Sequence, residues 1–178
     1  TITVDAGVTV EDLLEKLHSW HYDIPALSSG DRDCTIGSVI SLKNASSSSF
    51  HHGTIREWVE GLTVVVDNGE EHKIVDGITP SGRLLGIYQE VFPFLTHVSG
   101  TIRAAKPRSH DDGTGYNIWN TSIGPRQLID QLTGSEGTLA IITSVTFRIC
   151  PRKQHMITTA IPVATKAQLP TFIEIAKH

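Results

Sequence analysis

The chain has 178 residues, 39% hydrophobic and 19% charged, which suits one globular domain with a core of its own. A formal net charge of −4 excludes the dense Lys and Arg surface that a nucleic-acid partner needs, and no apolar run approaches a membrane span. Two cysteines, Cys34 and Cys150, allow one disulfide at most, so a reduced, cytoplasmic setting is expected.

Thr1 to Asp5 reads as a short strand. Thr9 follows as an N-cap with Asp12 three residues on, and Val10, Leu13, Leu14 and Leu17 fall on one helical face. Asp23 to Thr35, with Pro25 and Gly30, reads as a loop, Thr35 to Ala45 as a short buried helix, and the serine run Ser46 to Ser49 as a loop again. Leu62 to Val66 and Glu71 to Val75 form a hairpin about Asn68-Gly69, a turn expected to hold both central residues at positive φ. Leu84 to Leu95 has helical spacing, with Pro93 expected to end or kink it. Arg103 to Gly115 is polar and loop-like, and Gln127 to Leu132 is helical. Leu139 to Ile149 is a long strand ended by Pro151, Met156 to Val163 is another strand, and Pro170 to Lys177 begins a final helix. Strands and helices mix without regular alternation, which predicts an α+β fold with a largely antiparallel sheet. The chain opens in a strand-like run at Thr1 and stops inside a helix, so it is read as a fragment.

Three segments carry candidate chemistry. Cys34-Thr35-Ile36-Gly37-Ser38 places small residues at a helix mouth, where backbone N–H groups and the helix dipole suit an anion; a plain capped helix start explains it equally. Gly134-Ser135-Glu136-Gly137 runs into a β-branched strand at Ile141-Ile142-Thr143. Glycines let backbone approach a ligand and a glutamate accepts hydrogen bonds from sugar hydroxyls, while the bland alternative is a tight turn into a core strand. Thr114-Gly115-Tyr116-Asn117-Ile118-Trp119 suits the lining of a flat-ring pocket, or a loop anchored on the core. His18, His21 and the pair His51-His52 have no further Cys or His spaced to close a metal site, so no metal is assigned.

Taken in order, these segments resemble one family. Val4-Asp5-Ala6-Gly7-Val8, Ile24-Pro25, Thr35-Ile36-Gly37, Asn44-Ala45, Gly53-Thr54-Ile55-Arg56-Glu57-Trp58-Val59, Gly61-Leu62-Thr63-Val64-Val65, Thr114-Gly115-Tyr116-Asn117 and Gly134-Ser135-Glu136-Gly137-Thr138-Leu139 follow its motifs. The family is the FAD-linked oxidases of the vanillyl-alcohol oxidase type, with a PCMH-type FAD-binding domain. Within it the chain is most similar to the D-lactate, glycolate and D-2-hydroxyglutarate dehydrogenases. It departs from the family pattern at Ser38 and Ala140, where glycines are usual, at Ser46-Ser47, and at His110-Asp111-Asp112.

The resemblance implies an FAD stretched between two α+β subdomains. Residues 1–151 would be the second subdomain, with the first missing, and residues 152–178 would start a cap or substrate domain. Ser29, Gly30, Cys34, Thr35, Ile36, Gly37 and Ser38 would line the pyrophosphate and ribityl region, with Asn44 and Ala45 near the flavin. Gly134, Ser135, Glu136 and Gly137 would face the adenosine. Ile141 and Ile142 would contact the cofactor through the main chain, and Gly53, Tyr116 and Thr143 would complete the set, Tyr116 near the ring system. The FAD would be held non-covalently, since Cys34 is one position off the place where some relatives attach flavin. The parent enzyme would oxidise a 2-hydroxy acid by hydride transfer, with its catalytic residues and small-molecule substrate contacts outside this chain. An exposed half-site would favour self-association of the fragment. The alternative is a degenerate, non-catalytic module serving domain or subunit contact.

Overall fold

Ile2 and Val4 alternate with Thr3 and Asp5, and in the computed structural model this period of two becomes strand β1 (Ile2–Asp5), its apolar residues packed on the core. The structure describes residues 1–27, 29–43, 46, 48–105, 116–118, 124–153 and 160–176. Helix α1 (Val10–Ser19) starts at the expected cap: the Thr9 hydroxyl accepts the Asp12 N–H at 3.1 Å and donates to the Asp12 carboxylate at 2.7 Å. Val10, Leu13 and Leu17 are buried, and β2 (Tyr22–Asp23) follows. Helix α2 (Ile36–Leu42) buries Ile36, Val39 and Ile40 and ends on Lys43, which takes a left-handed φ of 53°.

The serine run is not all loop. Ser49 begins a one-turn helix, α3 (Ser49–His52), because the Ser49 hydroxyl accepts the Ser46 N–H (2.8 Å) and the Ser48 hydroxyl anchors on the Pro25 carbonyl. Strand β3 (Val59–Val65) then pairs with β4 (Glu71–Val75). The hairpin stands, but Asn68 keeps a negative φ. The Gly69 N–H closes a turn on Val66 C=O (3.0 Å) with Asp67 and Asn68 at its centre, and only Gly69 is left-handed, at 81°. A three-residue loop with one left-handed glycine does the work expected of a two-residue turn.

Helix α4 (Gly82–Ala104) continues past Pro93 instead of ending there, and takes in Arg103 and Ala104, which the sequence placed in a loop. Pro93 lacks the N–H that would bond the Gln89 carbonyl, and Gln89 lies on an exposed stretch of the helix. Helix α5 (Arg126–Leu132) matches expectation, and β5 (Ile141–Phe147) starts two residues later than the pattern indicated. Pro151 does not end pairing, since β6 (Cys150–Pro151) bonds to β2 as a separate ribbon. Ala160 to Val163 form no strand, and the rest of that expected strand, 156–159, lies outside the described residues. Helix α6 (Leu169–Ala176) closes the described chain.

The main sheet has the order β1-β5-β3-β4, with every pair antiparallel, so the fold is α+β as the sequence indicated. Helix α2 lies against β5 and β1, and α5 against β3 and β4. The core between them joins Ile36, Ile40, Leu62, Ile129, Val145 and Phe147. Both cysteines are free, and burial pushes the Cys150 thiol above its usual pKa. Among the described residues no helix is long and apolar enough to cross a membrane.

Candidate functional site

Two of the three candidate segments meet on α2, at opposite ends. Its first turn carries Thr35 to Ser38. The Thr35 hydroxyl accepts the Ser38 N–H at 3.4 Å, and the Ser38 hydroxyl donates back to Thr35 C=O at 2.8 Å. The Ile36 N–H donates to Val8 C=O (2.8 Å) and the Gly37 N–H to Ala6 C=O (2.9 Å). These two amides therefore tie α2 to the chain leaving β1 and are not presented to an anion. Gly37 is required for a different reason than ligand approach: a Cβ there would lie 2.9 Å from the Ala6 Cβ.

The other end of α2 receives the turn after α5. The Gly134 N–H donates to Ile40 C=O and the Glu136 N–H to Ser41 C=O, both at 2.9 Å. The turn thus caps carbonyls that a helix C-terminus leaves without partners. Gly134, Glu136 and Gly137 all take positive φ (88°, 52° and 74°), and Ser135 is buried beneath them. Glu136 is the exception to chain stereochemistry here, because a side chain in that region is strained. Four residues of helix separate the two sets of contacts, about 6 Å along the axis, and both lie on the helical side of the sheet.

Strand β5 leaves from this turn. Ile142 pairs with Val64 and Ser144 with Thr63, so Thr143 is the extra residue of a β-bulge. Its hydroxyl donates to the Glu71 carboxylate (2.9 Å), and its carbonyl accepts the Ala6 N–H (2.8 Å). Pairing of β1 stops with Asp5 opposite Ser144, and the chain then turns away. On that side Ile141 and Ile142 have no neighbouring strand among the described residues. Their main chain forms an open edge, with the Ile141 side chain 67% exposed. The Gly137 N–H, next to it, has no backbone partner among the described residues.

Tyr116 joins the same place. Its hydroxyl lies 2.8 Å from the Thr138 hydroxyl, whose proton goes to Ser135 C=O at 2.5 Å, so Tyr116 is the donor. The ring lines an apolar cavity of about 240 Å³ between α4, the end of β3 and α5. Thr138 and the Ser41 carbonyl were missed in the sequence; nothing local marks a helix-end carbonyl as the partner of a distant turn.

The remaining candidates do not converge. Gly53, φ 74°, ends α3 under the Glu57 side chain, and the Glu57 carbonyl accepts from Arg148, beyond the far end of β5. Ser29 and Gly30 form a 3-10 turn beside α1. Cys34 is bonded on both sides, its N–H to Asp31 C=O and its C=O to the Val10 N–H, both at 2.9 Å. Asn44, Ala45, Thr114, Gly115 and Trp119 lie outside the described residues, as do His110, Asp111 and Asp112.

Residues 1–74 match the family model described as FAD binding domain. The match covers 74 of the chain's 178 residues. The chain is 24% identical over 173 residues to a D-lactate dehydrogenase of Archaeoglobus fulgidus, covering 97% of this chain and 30% of that protein. It is 25% identical over 161 residues to a D-lactate dehydrogenase of Anaerostipes hadrus, covering 90% and 25%. It is 28% identical over 154 residues to a D-2-hydroxyglutarate dehydrogenase of Escherichia coli, covering 80% and 15%. The resemblance to the FAD-linked oxidases is borne out. The chain spans 15–30% of the length of these relatives.

The described residues suit an FAD cofactor unevenly. The edge of β5 at Ile141-Ile142, paired with β3 on its other side, and the Gly137 N–H, which has no backbone partner among the described residues, offer main chain to a ring and a ribose. The amides of Ile36 and Gly37, read from sequence as a pyrophosphate cradle, are already bonded.

Proposed function

We propose that this chain forms part of the FAD site of a dehydrogenase that oxidises a 2-hydroxy acid of the D-lactate or glycolate type, with FAD held non-covalently. In this reading residues 1–151 are the FAD-binding part and residues 152–178 begin a substrate-side domain. The observation that carries it is the open edge of β5, flanked by the Glu136-Gly137 turn and by Tyr116, in a chain that matches an FAD-binding domain.

When bound, FAD takes up the hydride that leaves the hydroxyl-bearing carbon of the substrate. This chain's residues bind and orient. The main chain of Ile141 and Ile142 offers donors and acceptors to a flat heteroaromatic edge. The Glu136 carboxylate, exposed beside Gly137, accepts from ribose hydroxyls. Tyr116, fixed through Thr138, forms the adjoining wall. The family match favours this over a non-catalytic contact module.

Titrating FAD into the chain and following flavin fluorescence tests the reading. Saturable quenching is expected, and acid precipitation should release all flavin into the supernatant. Fluorescence that never departs from free FAD would overturn it. For the substrate class, a longer protein containing this chain should reduce an acceptor dye with D-lactate, glycolate or D-2-hydroxyglutarate.

A further inference from the structure

Helix α4 stands off the sheet. Of its described side chains only Leu84 is buried, and Leu84, Ile87, Val91 and Leu95 turn one face toward Leu128 and Leu132 of α5 without closing on them. The gap between is the cavity of about 240 Å³. An apolar cavity of about 150 Å³ stays dry and takes up benzene, so this one has room for a larger hydrocarbon.

Its chemistry is selective. The two polar side chains in its wall among the described residues are already engaged: Tyr116 donates to Thr138 at 2.8 Å and Gln131 donates to Asn117 C=O at 2.6 Å. A ring with several nitrogens, such as adenine or the polar half of a flavin, would be buried there short of hydrogen-bond partners. Among the described residues no charged group lines the wall. We propose that the cavity under α4, which shares the Tyr116 wall with the FAD edge, is a second ligand site for an uncharged hydrocarbon group: an unsubstituted aromatic ring or an alkyl chain. The proposal rests on the cavity alone and stands whether or not FAD binds to β5.

Thermal unfolding of the 178-residue chain, followed by circular dichroism, tests this with toluene and 1-octanol as probes and adenosine as the polar-ring control. Toluene should raise Tm by about 2 °C or more, as a ligand bound only by the folded state does. A rise with octanol as well extends the site to the tail of an amphiphile; a rise with toluene alone confines it to free rings. Ile87→Phe and Val91→Phe fill the gap from the solvent-facing edge, where neither residue is buried, and should abolish the shift while leaving the ligand-free Tm unchanged or higher. Methyl NMR on the unsubstituted chain gives a second readout, with toluene-induced shifts confined to the lining methyls, those of Leu84, Leu128 and Leu132 among them. No toluene effect, an equal effect in both filled variants, or an equal rise with adenosine would each overturn the proposal. Loss of FAD quenching with the toluene shift intact would leave it standing and remove the flavin reading instead.

Discussion

Glu136 holds the one left-handed φ within the candidate turn that a glycine does not supply, 52°. A non-glycine side chain there costs about 1 kcal/mol or more, and the turn keeps it while donating the Glu136 N–H to Ser41. Glu136→Gly should therefore raise stability by about 0.5–1 kcal/mol. If the carboxylate holds ribose, the same change should weaken FAD binding severalfold. Glu136→Gln separates the two, weakening FAD while leaving the melt where it was. A melt unmoved by Glu136→Gly would show that the strain is absent. Gly37 teaches the complementary lesson. It was legible as a residue that must be small, but the reason was not, because Ala6 reaches it only once β1 and α2 have packed. Gly37→Ala should lower stability by about 1–3 kcal/mol through overpacking against Ala6, measured by urea unfolding.

Elements with a local signal were read correctly. Thr9 and Asp12 announce α1, and Thr9→Ala should cost about 1 kcal/mol. Asn68-Gly69 announces the β3–β4 hairpin, although the conformation of its turn depends on how many residues the ladder leaves unpaired. Helix α4 escaped because Pro93 reads as a stop signal, yet the helix continues through it where Gln89, the residue that loses its helical donor, is exposed. Its first turn is held to the hairpin by Arg83, which donates to both oxygens of Asp67 at 3.2 and 2.9 Å. That hydrogen bond, the largest cause, together with the guanidinium charge, holds the Asp67 carboxyl below its ordinary pKa. The folded value is the lower one, so this pair's contribution is complete above the unfolded value of about 3.9 and fades as pH falls through the folded value. Comparing Tm of the protein with that of Asp67→Asn across pH should give a constant gap from neutral pH down to about 5, closing toward zero in stronger acid. A gap that widens in acid would contradict the sign. Molar salt should narrow it at neutral pH, because the pair is exposed.

At the scale of the molecule, the antiparallel α+β class was legible, since hairpin signals outnumber any strand–helix–strand alternation. The strand order was not. Placing β5 between β1 and β3 joins segments far apart in sequence, and only that placement creates the short open edge where β1 turns off at Ala6. The fold also decides which candidate amides are tied down beside α2 and which lie at this edge. Ile36 and Gly37 are bonded within the fold, whereas Gly137, Ile141 and Ile142 border the gap. Hydrogen exchange reports that difference directly. Without cofactor, the amides of Ile36 and Gly37 should already exchange slowly, being bonded to Val8 and Ala6, and FAD should change them little. Gly137 and whichever amide of the Ile141-Ile142 pair points away from β3 should exchange faster and slow when FAD is added. If FAD instead protected Ile36 and Gly37 and left the β5 edge unchanged, the helix mouth would have to open on binding. The cofactor would then lie at the end of α2 that this fold has closed.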